Sequence, residues 1–232
     1  MKSKHLAITF LVAVGSLAPL GSVQAQFNIY RDTNAFFSAL TNLATLNSGN
    51  TFTTNFASFT PGFVSTPMSL TNSPLGYQAT VPGSFFVSVE TWGSRPALAT
   101  IAVDQALLFT NLSANTRAFG AYLYPTDFNQ SPTTPMTNAT INITATLDDL
   151  SFITVTTNVA SINFNDYYFG FISTNSARSI VSVSTTVNTN VGASFATGSE
   201  VTISTVPEPS TYALIGLGAA ALAGYVIRRR RA

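Results

Sequence analysis

The chain of 232 residues contains no cysteine, one histidine and two lysines. His5, Lys2 and Lys4 all lie among the first five residues, so the sequence after them has no Cys, His or Lys. Without cysteine no disulfide can form, and without Cys or His there is no thiolate nucleophile, no zinc site and no Ser-His-Asp triad. Only carboxylate and tyrosine chemistry remains available, so we expect that the protein is not an enzyme.

Charged side chains are also scarce, at 8% of the residues, and they are unevenly placed. The formal net charge is +1, but both lysines and four of the eight arginines lie at the two ends of the chain. Between residues 26 and 205, four arginines stand against eight carboxylates, which leaves a net charge of −4. Such a stretch offers no basic surface to a polyanion, so we expect no nucleic-acid partner.

The first 25 residues match a secretory signal peptide. Two lysines precede an apolar run at residues 6–20, and a small-x-small sequence follows at residues 23–25. This arrangement predicts cleavage between Ala25 and Gln26, so that residues 1–25 are removed on export. A retained N-terminal anchor is the alternative, which the shortness of the apolar run disfavours.

The C-terminal end combines an uncharged apolar run with a basic terminus. The run at residues 212–227 would form a helix of about 24 Å, slightly shorter than the ~30 Å hydrocarbon layer, so it predicts a transmembrane helix that only just spans. Tyr212 and Tyr225 stand near its ends, where aromatic rings suit the two membrane interfaces. Four consecutive arginines then mark the cytoplasmic side. They are Arg228, Arg229, Arg230 and Arg231.

A proline-bracketed glutamate precedes this run, in the sequence Pro207-Glu208-Pro209-Ser210. The two prolines keep the motif extended and accessible to a processing enzyme. Motif, apolar helix and arginine cluster in this order resemble the PEP-CTERM sorting signal of Gram-negative and related exopolysaccharide-producing bacteria, over residues 206–232. The resemblance implies an exosortase as the partner that processes the chain near the motif, and the inner membrane as a transient partner. A C-terminal anchor that is never cut is the alternative.

The same resemblance implies where the protein goes and what it meets. It implies export through the inner membrane to the cell envelope or outer surface, or secretion after the tail is processed. An association with exopolysaccharide and biofilm is implied in the same way. We therefore expect an envelope or extracellular-matrix protein that is structural or carbohydrate-binding. The alternative is a glycan-processing enzyme that uses carboxylates.

Residues 26–205 are enough for one domain with a sizeable core. The stretch is rich in Thr, Ser and Asn, which suit strands and turns better than solvated helices. Short alternating or β-branched runs between turn residues predict an all-β fold, a two-sheet β-sandwich of the jelly-roll type. After the clearest strand, Asp148-Asp149 supplies a hairpin turn. The predicted strands are residues 51–59, 75–81, 84–91, 97–103, 106–112, 117–124, 138–147, 151–157, 167–172, 179–186 and 194–205.

One short helix is predicted near the start of this domain. Asp32 is a suitable N-cap for it. Phe36, Phe37, Leu40 and Leu43 return on one face over about three turns. We expect this face to pack on the sheets.

Several of the predicted strands carry a second resemblance. Residues 117–127, the hairpin at Asp148-Asp149, and residues 168–172 with 180–183 resemble the strand order of PEP-CTERM cargo domains, which are similar to lectin-like jelly rolls. Two positions depart from that pattern. Leu150 stands where the hairpin turn usually has glycine, and Gly198-Ser199-Glu200 replaces an Asp pair on the last strand. A family metal site or turn geometry is therefore not carried over to these positions.

Two clusters are candidate binding sites. Trp92, the only tryptophan, lies between Glu90 and Arg95, a grouping that could stack on a sugar ring and hydrogen-bond its hydroxyls, although core packing is the more common role. Asp148 and Asp149 could bind Ca²⁺ or share a proton as a catalytic pair. Neighbours in a hairpin turn point apart, however, so a solvated turn is favoured. We expect no cofactor, with Ca²⁺ as the one ion that would fit.

Overall fold

The fold is that of a computed structural model of the chain. It describes residues 27–47, 49–90, 96–103, 105–127, 136–175, 177–189 and 194–205, together with Gly218. These residues form fourteen strands, the helix α1 and a short 3-10 helix. In chain order they are β1 (Phe27–Tyr30), α1 (Thr33–Asn47), β2 (Thr51–Thr54), β3 (Gly62–Ser65), β4 (Met68–Asn72), β5 (Leu75–Thr80), β6 (Phe86–Glu90), β7 (Ala97–Ala99), β8 (Leu107–Thr110), β9 (Thr116–Asp127), β10 (Ala139–Leu147), β11 (Phe152–Val159), the 3-10 helix (Phe164–Tyr167), β12 (Tyr168–Ser173), β13 (Ile180–Thr189) and β14 (Ser194–Thr205).

The strands form two antiparallel sheets. The first has eight strands in the order β1-β12-β9-β14-β7-β6-β3, and β2 pairs with β14 beside this path. The second has six strands in the order β11-β10-β13-β8-β5-β4. The prediction of a mostly β domain with an N-terminal helix is therefore confirmed.

The two sheets face each other across an apolar core. The ring centroids of Phe109, in the six-stranded sheet, and Phe119, in the eight-stranded sheet, are 5.3 Å apart. Tyr77 and Phe52 make a second ring contact between the sheets, at 6.2 Å. Each sheet thus buries one apolar face against the other, which is the packing that a β-sandwich requires.

β10 shows why an alternating pattern predicts its strand. Ile141, Ile143 and Ala145 are fully buried, while the polar residues between them lie on the opposite face. A turn at residues 148–150 leads into the antiparallel partner β11, so the predicted hairpin is confirmed. Leu150 has φ +66°, a left-handed conformation that glycine adopts more easily. The turn therefore forms even though the usual glycine is absent.

α1 begins as predicted, but the prediction that Phe37 belongs to the core is wrong. The Asp32 side chain caps the helix, since its Oδ1 accepts a hydrogen bond from the Ala35 backbone N–H at 2.8 Å. Phe36 and Leu40 are buried, whereas Phe37 is 40% exposed. Successive residues are about 100° apart around a helix, so the Phe37 side chain points away from the sheet that Phe36 contacts. The Leu43 side chain lies outside the described residues.

A pair of glycines places α1 on the eight-stranded sheet. Gly120 of β9 and Gly170 of β12 are directly opposite each other in the sheet. The Phe36 ring lies over both, and a Cβ on Gly120 would meet Phe36 Cε1 at 2.7 Å. A Cβ on Gly170 would meet Phe36 Cγ at 2.9 Å. Because neither glycine has a side chain, the sheet surface has a notch at this pair, and the Phe36 ring of α1 fills it.

Three strands were not predicted, namely β1, β3 and β4. Each has only four or five residues and lies at the end of a sheet. A short edge strand buries few side chains, so its alternating pattern is weak. The predicted strand at residues 51–59 is also too long, because Phe56 turns the chain at φ +57°.

Candidate functional site

The residues predicted to act in export and sorting lie outside the described residues, so they remain predictions. Gly218 is the one described position of the predicted membrane segment. In the described part of the chain, no helix has both the length and the apolar character needed to cross a membrane. The residues outside it are Ala25, Gln26, Pro207, Glu208, Pro209, Ser210, Tyr212, Tyr225, Arg228, Arg229, Arg230 and Arg231.

The tryptophan cluster also remains a prediction. Trp92 and Arg95 lie outside the described residues. Glu90 is the last residue of β6 and pairs with Ala97 of β7, but its side chain is not described. The cluster thus falls between β6 and β7 in the sequence, and only the backbone of Glu90 belongs to the described part of the chain.

Asp148 and Asp149 lie in a turn that solvent reaches, since their side chains are 37% and 28% exposed. Arg178 Nη1 lies 3.5 Å from Asp148 Oδ1, and Arg178 Nε lies 3.2 Å from Asp149 Oδ2. Asp149 Oδ1 also accepts hydrogen bonds from the Ser151 hydroxyl at 2.6 Å and the Ser151 N–H at 3.0 Å. Both carboxylates contact the same guanidinium because β13 pairs with β10 and brings Arg178, which precedes β13, beside the turn.

These partners decide the charge state of Asp149. The hydrogen bonds from Ser151 lower the pKa of Asp149 below its usual value, and the positive charge of Arg178 lowers it further. The carboxylate is therefore held ionised and paired, unlike a catalytic acid that needs a raised pKa. Among the described residues, no group of three or more His, Cys, Asp or Glu side chains could hold a metal ion.

Two tyrosines are buried where they cannot act as acids or bases. Burial raises the pKa of Tyr168 far above its usual value, and the negative charge of Glu200 acts in the same direction. Burial likewise raises the pKa of Tyr77, against a smaller opposite effect of the Thr54 hydroxyl. The Tyr168 and Tyr77 hydroxyls have no hydrogen bond of good geometry with the described residues. Both rings serve as core.

Most of the outward side of the six-stranded sheet is a surface of hydroxyl and amide groups, which we call the hydroxyl face, although Leu108 and Phe152 also point outward. Its side chains are linked across strands. Thr144 and Thr154 hydroxyls share a hydrogen bond of 2.8 Å, and the Thr156 hydroxyl donates to Asn142 Oδ1 at 2.7 Å. On β10, β11 and β13 its polar residues are Thr140, Asn142, Thr144, Thr146, Thr154, Thr156, Asn158, Ser182, Ser184, Thr186 and Asn188. None of these outward positions on the described strands carries a charge.

An open cleft of about 380 Å³, the corner cleft, lies at one end of this sheet. β4, β5 and the chain after β8 line it. Its polar side chains come from Ser69, Thr71, Gln78, Asn111 and Ser113. No local motif marks these residues, because β5 brings together side chains that are separated by up to 44 positions in the sequence. The sequence analysis therefore missed them.

Three phenylalanines form an exposed aromatic edge beside β3 and β6. Phe63 is 72% exposed and Phe85 is 84% exposed. The rings of Phe63 and Phe86 lie 6.5 Å apart. An apolar patch of this kind on a sheet edge is available for contact with another molecule.

Comparison with known proteins identifies the C-terminal segment. The family described as the PEP-CTERM protein-sorting motif matches residues 205–231. No curated protein and no solved structure matches the chain. The match begins at the last residue of β14, so the β domain leads directly into the motif. The chain thus carries a PEP-CTERM protein-sorting motif at its C-terminal end, which implies export and processing by an exosortase.

Proposed function

We propose that this protein is a component of the cell envelope or extracellular matrix that binds exopolysaccharide through its β domain and does not catalyse a reaction. The sorting motif supports the location, since it implies export and sorting to the envelope or outer surface. The proposal includes a jelly-roll connectivity for the two sheets, anchoring by the C-terminal apolar segment before processing, and no cofactor and no nucleic-acid partner.

The hydroxyl face is the observation that carries the binding role. Sugar hydroxyls both donate and accept hydrogen bonds, as do the threonine, serine and asparagine groups of this face. The domain between residues 26 and 205 has a net charge of −4, yet the described outward positions on β10, β11 and β13 are uncharged. An uncharged polar face suits an uncharged polymer better than an ion.

The aromatic edge adds a second kind of contact. Phenylalanine rings such as Phe63 and Phe85 present apolar faces, which can pack against the C–H faces of sugar rings. The described carboxylates favour binding over hydrolysis. Ser151 and Arg178 lower the pKa of Asp149, so this side chain is a poor candidate for the acid that protonates a leaving group.

Co-sedimentation with the exopolysaccharide of the producing cells tests this role. The purified full chain is mixed with the insoluble polymer, the pellet is quantified, and new reducing ends are measured in the same sample. We expect the protein to pellet with the polymer and to release no reducing ends. Heat-unfolded protein serves as the control for non-specific adhesion.

Two other results would contradict the proposal. Release of reducing ends that disappears in Glu90→Gln or Asp148→Asn would establish a glycan-processing enzyme. A protein that stays in the supernatant at every polymer concentration would favour a structural role without carbohydrate binding.

A further inference from the structure

We infer that the corner cleft binds one uncharged sugar unit of a polysaccharide chain that lies along the hydroxyl face, an inference that rests on the proposed carbohydrate-binding function. Gln78 connects the two surfaces. It pairs with Thr110 of β8 on one side and Ser69 of β4 on the other. The cleft is therefore continuous with the outward side of the same sheet.

A chain of hydrogen bonds orders the polar groups of the cleft. Asn111 Nδ2 donates to Gln78 Oε1 at 2.6 Å. Gln78 Nε2 in turn donates to Ser69 Oγ at 3.2 Å. Because Ser69 Oγ accepts within this chain, its own O–H remains to donate outward. Each amide nitrogen also keeps a second N–H. The cleft thus offers a fixed row of donors and acceptors, which matches neighbouring hydroxyls on a sugar ring.

The backbone around the cleft holds this row in place. Asn111 adopts φ +48°, a left-handed conformation that turns the chain at the end of β8. The Ser113 hydroxyl accepts a hydrogen bond from Gly76 N–H at 2.6 Å, and Ser113 N–H donates to Gly76 O at 2.9 Å. These bonds tie the loop to β5. Because the loop is already held in one conformation, binding loses little further conformational entropy, which favours affinity.

The volume of the corner cleft and its lack of charged lining residues limit which sugars can bind there. The volume of about 380 Å³ is at the small end of the range for ligand sites, so the cleft suits one or two sugar rings. Of the described residues that line it, none is charged. A uronic acid or a sulfated sugar would therefore gain no ion pair, whereas a neutral sugar needs none. The cleft is also open, so we expect weak binding of a single sugar and stronger binding of a polymer that contacts the whole face.

Native affinity electrophoresis of the full chain tests the site. The protein, in a detergent without a sugar headgroup, runs through gels containing a neutral β-glucan, a neutral galactomannan or the anionic polygalacturonate. Gln78→Met removes the central amide at nearly constant volume. Asn111→Gly removes the amide and keeps the left-handed turn. Asn28→Leu is the matched control, since it removes an exposed amide from β1 of the other sheet.

We expect a neutral polymer to retard the wild type more than polygalacturonate does. Gln78→Met and Asn111→Gly should each raise the dissociation constant about fivefold, as expected for one lost hydrogen bond, and Asn28→Leu should leave it unchanged. Equal retardation of wild type and all three variants would overturn the cleft as the site and leave carbohydrate binding standing. Stronger retardation by polygalacturonate would overturn the neutral ligand. A wild type that no polymer retards would overturn both the site and the proposed function.

Discussion

Asp149 lies at the tip of the β10–β11 hairpin, where a hydroxyl, an N–H and a guanidinium surround its carboxylate. A carboxyl whose pKa is lowered by folding stabilises the folded state above the pKa of the unfolded chain. That contribution is lost as the pH falls through the lower pKa of the folded state. The pair with Arg178 is exposed, so its own share is small.

We predict that Ser151→Ala raises the pKa of Asp149 more than Arg178→Gln does, because the hydrogen bond from the Ser151 hydroxyl is the largest cause of the shift. A carboxyl titration followed by NMR measures both variants. Asp149→Asn should also unfold more readily than the wild type at pH 7. The gap should narrow as the pH falls below about 4, near the usual pKa of Asp. A larger pKa change in Arg178→Gln, or a gap independent of pH, would show that this assignment is wrong.

At the scale of elements, α1 and the eight-stranded sheet depend on one aromatic ring. Phe36 is fully buried over the Gly120–Gly170 pair, and its ring centroid lies 5.5 Å from that of Tyr168. The adjacent Phe37 has the same side chain but is 40% exposed. These two positions form a matched pair for measuring what the contact between helix and sheet contributes.

We predict that Phe36→Ala lowers the free energy of unfolding by about 3–5 kcal/mol. Phe37→Ala should lower it by about 1 kcal/mol or less, because that ring already contacts solvent. Gly170→Ala should cost about 1–3 kcal/mol, since its Cβ would overlap the Phe36 ring. Denaturant unfolding of each purified variant measures these values.

The double variant distinguishes a steric cause from a general weakness of the strand. Removing the ring makes room for the new Cβ, so Gly170→Ala should cost less in the Phe36→Ala background than in the wild type. Costs that simply add would mean that Phe36 does not occupy the notch.

At the scale of the whole molecule, the two sheets differ in what covers them. Every residue of β9 except the last is buried, because the core lies on one side and α1 and other segments lie on the other. Within the described residues, no other element covers the outward side of the six-stranded sheet. This part of the protein therefore offers a broad sheet face for contacts outside the molecule, while β14 of the other sheet leads into the sorting motif.

We predict that the tail has two separable functions. Replacing Arg228, Arg229, Arg230 and Arg231 together by Gln should let the short apolar segment slip through the membrane, because cytoplasmic arginines resist translocation. Uncut precursor should then appear outside the inner membrane. Glu208→Gln should leave the segment inserted and impair cutting instead.

Cell fractionation and intact mass distinguish these two defects. The wild-type product should lack the arginine cluster. A variant without the four arginines that stays inserted and is cut at the normal rate would show that the apolar segment, with Tyr212 and Tyr225 at its ends, is sufficient for retention. A mature wild-type protein that still carries the cluster would mean that the motif is not processed.

Features that depend on neighbouring residues could be predicted from the sequence. The sorting motif is recognised as a linear stretch, and the family comparison confirms it at residues 205–231. β10 follows from an alternation of period two, and the Asp32 cap follows from the residues just after it. In each case the physical cause lies within one continuous stretch of the chain, so the local pattern contains the information.

Tertiary structure decided the rest, because strand pairing joins distant residues. The register of β10 and β13 brings Arg178 into contact with both Asp148 and Asp149. The sequence of the turn alone does not predict this contact. The pairing of β5 with β4 and β8 assembles the corner cleft from Ser69, Gln78 and Asn111. The glycine notch likewise decides which of two adjacent phenylalanines is buried. A shift of one residue in the β10–β13 or β5–β8 register would turn the same side chains to the other face, and no short turn joins these strands to fix their register locally.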